Sequence, residues 1–287
     1  MSSHPLLAQI YAFLVGACFG SFLNVCIVRW PLERSIVRPR SRCPHCGHQL
    51  SWFENIPVVS WLALRARCRC CDEPISILYP IVETVVAFGW LGAVHYLGPN
   101  FVAVRVAVFG TVLLGVAITD AQHYVIPDGF TLFGLAWTLL TAMIAFFSGE
   151  TRVFAGPYDA LVGACAGAGL IAIVGWLGEV ATRREAMGLG DVTLMAFVGA
   201  ALGPPKALMT VFLGAVLGAV VFVGVVIPVA FMRRARTGRV AGSEQTELAL
   251  GGTPFQAPLV PFGVFLAPAA VLTLFWGDAF LAWLIRP

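Results

Sequence analysis

Charged residues are scarce in this chain of 287 residues, and their scarcity excludes an ordinary soluble fold. Asp, Glu, Lys and Arg make up 11% of the sequence, whereas 59% is hydrophobic and the mean hydropathy is +0.87. A typical soluble domain carries about a quarter charged residues. The composition therefore predicts a membrane protein, because the apolar runs reach the roughly 20 residues that a helix needs to cross a bilayer.

Long polar intervals are also few, and the apolar runs predict an all-α polytopic membrane protein with about eight transmembrane helices. The runs lie at residues 6–28, 75–98, 101–119, 129–148, 158–180, 191–203, 205–232 and 259–285. The sixth run is short and is bracketed by glycine and proline. Such a segment favours a tilted or partly sunken helix whose ends lie inside the protein.

The N-terminus lacks the basic region and the small-residue cleavage site of a removable signal, so we expect residues 6–28 to remain as the first span. Basic residues predict its orientation. With residue 1 outside, 14 of the 18 Lys and Arg residues fall in inner loops, as the positive-inside rule requires. The inner residues are Arg29, Arg34, Arg38, Arg40, Arg42, Arg65, Arg67, Arg69, Arg183, Arg184, Arg233, Arg234, Arg236 and Arg239, and the outer residues are Arg105, Arg152, Lys206 and Arg286.

Two CxxC knuckles, separated by 21 residues, lie in the loop after the first span. This pattern is typical of a tetrahedral zinc site with thiolate ligands. The loop is predicted to be cytoplasmic, where thiols stay reduced, and it is too small to order itself around a core. We therefore predict structural Zn²⁺, with unliganded thiols as the alternative. The predicted ligands are Cys43, Cys46, Cys68 and Cys71.

Three other residues compete for that site. Cys70 is adjacent to the second knuckle, but a CxxC turn favours Cys68 and Cys71. His45 and His48 are alternative ligands, and they rank lower because four cysteines already complete the coordination shell.

Carboxylates are almost absent from the apolar runs, and the few that occur there are costly and usually functional. Asp120 closes the run at 101–119, and Asp191 opens another after Gly188-Leu189-Gly190. The predicted topology puts both at the inner face. Two carboxylates close together in a low dielectric share one proton, so that one acts as a base toward water and the other as an acid. We predict a catalytic aspartate pair.

Each carboxylate also has a structural alternative. Asp191 suits a helix cap, whereas Asp120 at a helix C-terminus opposes the helix dipole. Asp128 is predicted to cap the fourth span. His123 either tunes Asp120 or is a solvated histidine at the interface, and Glu83 either bonds within the bundle or marks a second site.

Seven motifs in order resemble the bacterial type IV prepilin peptidase family, a family of bifunctional leader peptidases and N-methyltransferases. A GxGD motif alone is a weak signal, but seven motifs in this order along a polytopic chain are highly specific. The motifs are Gly20-Ser21-Phe22-Leu23-Asn24-Val25, the two CxxC knuckles, Asn55-Ile56-Pro57 with Ser60-Trp61, Tyr79-Pro80 with Glu83, Asp120 with Ile126-Pro127-Asp128, Gly188-Leu189-Gly190-Asp191 and Pro261-Phe262-Gly263.

The resemblance implies an aspartic endopeptidase of the bacterial inner membrane, with a periplasmic N-terminus and its active site at the cytoplasmic face. Such enzymes cut the basic leader from prepilins and pseudopilins of type IV pili and type II secretion systems after a glycine, at the junction between the charged leader and a hydrophobic helix that lies in the membrane. They then methylate the new N-terminal residue with S-adenosyl-L-methionine. By motif position, Asp120 and Asp191 are the catalytic residues, and the expected partners are these substrates and membrane lipids, with no nucleic acid.

The resemblance also implies two parts: residues 1–74, the first span with the cysteine loop, associated with methyl transfer, and residues 75–287, a seven-helix peptidase bundle. The residues that bind S-adenosyl-L-methionine are not assigned, because no glycine-rich nucleotide loop follows a strand. Two departures from the family pattern are Thr193, where many members carry lysine, and the long polar connector at 233–258.

Four rival functions are possible. A purely structural membrane scaffold with a zinc loop is one of them, but it leaves the two aspartates unexplained. A peptidase without methyl transfer is the nearest, although shortened members of the family that lack methyl transfer also lack the cysteine loop. A proton-coupled transporter also uses membrane carboxylates, but typically with internal repeats and sites near the midplane. A magnesium-dependent lipid phosphotransferase needs clustered carboxylates, such as DxxxD, which are missing here.

Overall fold

A computed structural model describes residues 6–149, 153–183, 187–226, 228–229 and 261–285, so the predicted connector at 233–258 lies outside the described residues. Across these ranges the structure is helical, with two isolated β-bridges. The helices are α1 (Leu6–Arg29), α2 (Val59–Ala63), α3 (Leu78–Leu97), α4 (Phe101–His123), α5 (Asp128–Ser148), α6 (Pro157–Thr182), α7 (Leu189–Leu202), α8 (Pro204–Val221) and α9 (Gly263–Ile285).

Seven helices in the described ranges are long and apolar enough to cross a membrane: α1, α3, α4, α5, α6, α8 and α9. The eighth predicted span corresponds to the shorter apolar helix α7. The prediction of an all-α polytopic membrane protein is confirmed, and the cysteine loop follows the first helix as expected.

Local signals set the ends of α4. Asn100 caps its start by accepting the backbone N–H of Ala103 at 2.9 Å. Hydropathy predicted an end near residue 119, but the helix continues to His123 and stops where Tyr124 adopts the left-handed conformation. Asp120 therefore lies within the last turn of α4, where its side chain has a fixed direction.

Neighbouring helices bury most of the short helix α7, so this helix does not need to span the membrane by itself. Its residues 197–202 are all buried. Gly163 of α6 and Gly199 of α7 touch backbone to backbone, so that a side chain at either position would clash. The C-terminal part of α7 consequently rests on protein, whereas Gly188 and Leu189 at its start are exposed, so the prediction that both ends lie inside the protein holds for the C-terminal end alone among the described residues.

Four segments meet at one end of the bundle. Trp30, in the turn after α1, packs edge-on against Phe130 near the start of α5 with ring centroids 4.4 Å apart. The loop after α4 contacts Gly190 of α7 through Ile126, and the last turn of α4 contacts the start of α9. The cysteine loop, which follows Trp30, and both candidate aspartates therefore lie toward the same end of the molecule.

Candidate active site

Asp120 is buried, with 5% of its surface exposed, and another helix holds its carboxylate. Its Oδ2 accepts a hydrogen bond from the backbone N–H of Val264 at 3.1 Å, and the N–H of Gly263 is a second donor. These amides are the first of α9. The first N–H groups of a helix have no partner within it and carry partial positive charge. The start of α9 therefore stabilises negative charge on Asp120.

Asp191 occupies the third position of α7 and is half-buried. Its carboxylate accepts the backbone N–H of Gly188, which is the N-cap residue, so it serves the helix start without standing at the cap itself. The same carboxylate lies close enough to Asp120 for direct electrostatic repulsion. The structure thus brings the two predicted catalytic side chains together, and the structural role of Asp191 coexists with that proximity.

Two glycines and one isoleucine set the approach of the three segments. A Cβ on Gly263 would lie 2.8 Å from Asp120 Oδ2 and 2.9 Å from Ile126 Cδ1. A Cβ on Gly190 would lie 2.9 Å from Ile126 Cβ. Ile126 therefore packs against both glycines, and any larger residue at either position would push α7 or α9 away from α4. Gly263 belongs to the motif Pro261-Phe262-Gly263, but nothing in the sequence indicates its contact with Asp120.

The other polar residues near the pair play smaller parts. The prediction that Asp128 caps α5 is wrong: Pro127 holds the cap position in an extended conformation, and Asp128 is the first helical residue. His123 is exposed at the last position of α4, and within the described residues it makes no hydrogen bond to Asp120. The hydroxyl of Thr193 donates to the carbonyl of Gly190 at 3.1 Å, a contact that lysine would lack.

Glu83 joins the cysteine loop to the helices. It is buried, and its Oε2 accepts the backbone N–H of Val58 at 2.7 Å, while the hydroxyl of Ser21 also bonds it. Val58 has φ 60° and ψ −47°, a conformation that a β-branched residue adopts only when its surroundings impose it. Of the two predicted roles for Glu83, the bond within the bundle is therefore present.

A second contact strengthens the same junction. Asn24 of α1 donates from Nδ2 to the carbonyl of Tyr79 at 3.0 Å. A Cβ on Gly20 would lie 2.6 Å from the Cα of Glu83, so α1 and α3 touch at backbone level. Three of the N-terminal motifs meet here, and together they fix the point where the loop returns to the membrane helices.

The four predicted zinc ligands form one cluster. Their Sγ atoms all lie within 4.8 Å of one another, with Cys43 to Cys71 at 3.8 Å and Cys46 to Cys68 at 3.9 Å. Four sulfurs bound tetrahedrally to Zn²⁺ at 2.3 Å lie about 3.8 Å apart. The separations therefore fit zinc and are far longer than the roughly 2 Å of a disulfide bond.

The two knuckles share one backbone design. The N–H of Cys43 donates to the carbonyl of His48, and the N–H of Cys68 donates to the carbonyl of Glu73, each at 2.9 Å. One isolated β-bridge closes each turn. This repeated turn presents two thiols from each side of the cluster.

The competing ligands have other partners or lie apart. Cys70 is exposed and outside the cluster, and His45 Nε2 is 3.8 Å from a carboxylate oxygen of Glu73. His48 Nε2 lies 3.3 Å from Oε2 of Glu54. The backbone N–H of Ser51 also bonds Glu54, and this bond, with help from His48, lowers the pKa of the Glu54 carboxyl.

These features define a class of protein: a polytopic helical membrane protein in which two carboxylates from different helices meet at one end of the bundle, beside a four-cysteine loop. Residues 14–97 match the bacterial peptidase A24 N-terminal domain, and residues 107–223 match the type IV leader peptidase family. The chain belongs to the type IV leader peptidase family, which is a family of enzymes.

Curated relatives cover most of the chain. A protein of Myxococcus xanthus is 42% identical over 76% of this chain and 62% of its own length. Proteins of Stutzerimonas stutzeri and Pseudomonas aeruginosa are 34% and 33% identical over 98% and 97% of this chain, and over 95% and 93% of their own lengths. All three are named prepilin leader peptidase/N-methyltransferase. No solved structure matches the chain.

Proposed function

We propose that this protein is a bifunctional aspartic endopeptidase and N-methyltransferase. It cleaves the basic leader of type IV prepilins or pseudopilins on the cytoplasmic side after glycine, and it then methylates the new N-terminal residue with S-adenosyl-L-methionine. The observation that carries the peptidase assignment is the meeting of Asp120 with Asp191 beneath the start of α9. The names of the relatives support the substrate and the second activity.

The surroundings of the pair suggest which carboxyl starts as the base. The amides of Gly263 and Val264 stabilise negative charge on Asp120, so the shared proton resides on Asp191. Asp120 then takes a proton from water as the water oxygen attacks the peptide carbonyl. Asp191 donates a hydrogen bond to the carbonyl oxygen and then transfers its proton to the leaving amine, so that after cleavage the shared proton, taken from water, resides on Asp120. Because the two groups share one proton, any apparent pKa belongs to the pair.

The cysteine loop is assigned to the methyl-transfer part, with residues 1–74 as that part and 75–287 as the peptidase bundle. Cys43, Cys46, Cys68 and Cys71 would hold Zn²⁺, which orders the loop when bound. Glu83 ties this loop to α1 and α3 through Val58 and Ser21. We place the loop and the aspartate pair on the cytoplasmic side of the inner membrane, and the arginine distribution supports this orientation.

The experiment is a cleavage assay with a prepilin and the purified enzyme in lipid vesicles, read by mass spectrometry of the product. The proposal expects loss of the leader without any cofactor, and the added mass of one methyl group only when S-adenosyl-L-methionine is present. A Cys43→Ser variant is expected to release the leader but to leave the terminus unmethylated. Cleavage with an unmethylated product from the unaltered enzyme would instead establish the peptidase alone.

A further inference from the structure

An apolar groove of about 580 Å³ lies on the surface of the bundle between α3, α4 and α9. Residues 85–97 of α3 and 264–275 of α9 form its walls, and residues 106–117 of α4 lie between them. Large exposed side chains stand along its edges: Val85, Phe88, Tyr96 and Phe275. All three helices are candidate membrane spans, so the groove lies at membrane level.

One end of the groove reaches the aspartate pair. Val264 lines the groove, and its backbone N–H is the donor to Asp120 Oδ2 at 3.1 Å. Ala117, the last residue of α4 in the groove, lies one helical turn before Asp120. At 1.5 Å per residue, the stretch of α4 at 106–117 is about 17 Å long, which is over half of a hydrocarbon core of about 30 Å. The groove therefore runs from the depth of the membrane to the candidate site.

The groove has room for the backbone of another helix. Gly89, Gly92 and Gly110 line it, and a Cβ at each would meet nothing within 4 Å. This contrasts with Gly16 of α1, where a Cβ would lie 2.7 Å from Trp90 because α3 already packs there. Small residues on a membrane helix let a second helix approach closely.

The polar side chains that line the groove do not require a polar ligand as a hydrogen-bond partner. The indole N–H of Trp90 donates to Thr111 Oγ1 at 3.1 Å, and the Thr111 hydroxyl donates to the carbonyl of Ala107 at 2.7 Å. The polar side chains in its lining thus satisfy each other, apart from the phenol of Tyr96 at the exposed edge. An apolar segment fits this surface, whereas a polar peptide would lose its hydrogen bonds to water there.

We propose that the groove binds the apolar helix of the membrane-anchored substrate alongside α4, so that the bond between the leader and this helix lies at Asp120 and Asp191. This inference rests on the proposed peptidase function and names the surface by which the enzyme holds its substrate. The helix supplies the apolar surface, and the leader continues past the end of the groove into water. Substrates that lack the apolar helix lose this binding and reach the pair only from solution.

The first test fills the groove with Gly92→Leu and Gly110→Leu, with Gly169→Leu on α6 as the matched control, because a Cβ at Gly169 also meets nothing within 4 Å. Each enzyme is assayed on an anchored prepilin and on a soluble peptide that spans the cleavage site. We expect kcat/KM on the anchored substrate to fall at least tenfold in the groove variants only, with the peptide rate unchanged. Unchanged cleavage of the anchored substrate, or equal losses on both substrates, overturns the inference.

The second test detects binding without cleavage. A photo-crosslinking amino acid replaces Phe88 at the groove, or Trp176 on α6 as the control, in an Asp191→Asn background; both side chains are exposed. We expect an adduct with the apolar helix of the prepilin from position 88 and none from position 176. If position 88 forms adducts with lipid alone while the unaltered enzyme still cleaves the prepilin, the inference about the groove is contradicted. If the unaltered enzyme cleaves neither the anchored prepilin nor the soluble peptide, the proposed peptidase function is contradicted instead.

Discussion

Asp120 and Asp191 differ in what holds them, although they share one site. Asp120 is buried, and its carboxylate accepts hydrogen bonds from two backbone amides of α9. This helix begins at Gly263, 143 residues later in the chain. Asp191 is half-buried and bonds the start of its own helix. This asymmetry is the basis for assigning the first base to Asp120. The assignment therefore depends on Gly263 as much as on the two aspartates.

Gly263→Ala is therefore expected to impair cleavage while the fold persists. The new Cβ would lie 2.8 Å from Asp120 Oδ2, so either the carboxylate or α9 has to shift. A displacement of that size at a reacting group costs about tenfold to a hundredfold in rate. The measurement is kcat for leader cleavage. Gly169→Ala is the control, because a Cβ at Gly169 meets nothing within 4 Å. A rate within twofold of the unaltered enzyme contradicts the positioning role of Gly263.

At the scale of helices and loops, the sequence located most spans well because long apolar runs carry a strong signal. It placed the end of α4 too early because hydropathy falls at Asp120, whereas the helix stops only at Tyr124. The helix cap was expected at Asp128, but Pro127 occupies that position. Both residue types are common at a helix start, and the backbone conformation alone distinguishes the cap from the first helical residue.

The contacts that assemble the site had no such signal. The bond from Val264 to Asp120 and the bond from Val58 to Glu83 join residues far apart in the chain through backbone N–H groups. Every residue except proline carries a backbone N–H group, so the residue type does not indicate that such a contact forms. The four cysteines are the opposite case, because their spacing alone identified a cluster that the structure brings together.

Glu83→Ala is expected to loosen the cysteine loop from the bundle. The half-buried N–H of Val58 would lose its partner, a cost of about 0.5–1.5 kcal/mol, and the strained positive-φ conformation of Val58 would relax. Limited trypsin digestion at the loop arginines should accelerate about fivefold or more. Thr84→Ala is the matched control, because its hydroxyl donates to the carbonyl of Pro80 in its own helix and, in the part of the chain that the structure describes, bonds no residue of the loop. Equal digestion of both variants would show that Glu83 does not anchor the loop.

At the scale of the whole molecule, two polar centres lie toward one end of an apolar bundle. The aromatic contact of Trp30 with Phe130 places the start of the cysteine loop beside α5, close to where α4, α7 and α9 present the aspartates. With zinc bound as proposed, the order of the loop would depend on the four thiols, whereas the bundle has its own core along α4 and α7. The two parts should therefore respond differently to loss of metal.

Zinc removal is expected to unfold the loop and spare the bundle. The purified protein should contain one zinc ion per chain, and Cys43→Ser should abolish it, because three thiols no longer close a tetrahedral shell. Cys70→Ser should retain zinc, since this residue lies outside the cluster. Elemental analysis measures the metal, and circular dichroism should show the helices retained in both variants. Zinc retained in Cys43→Ser, or lost in Cys70→Ser, contradicts the ligand assignment.

The central claim is that Asp120 and Asp191 act as one catalytic pair, and leader cleavage by their Asn variants tests it most directly. Asp120→Asn and Asp191→Asn keep the side-chain size, and each should lower the cleavage rate at least about a thousandfold, with the double variant hardly worse than either one. Asp128→Asn, on the first residue of α5, should cleave normally. A rate near that of the unaltered enzyme in either single variant would contradict the account.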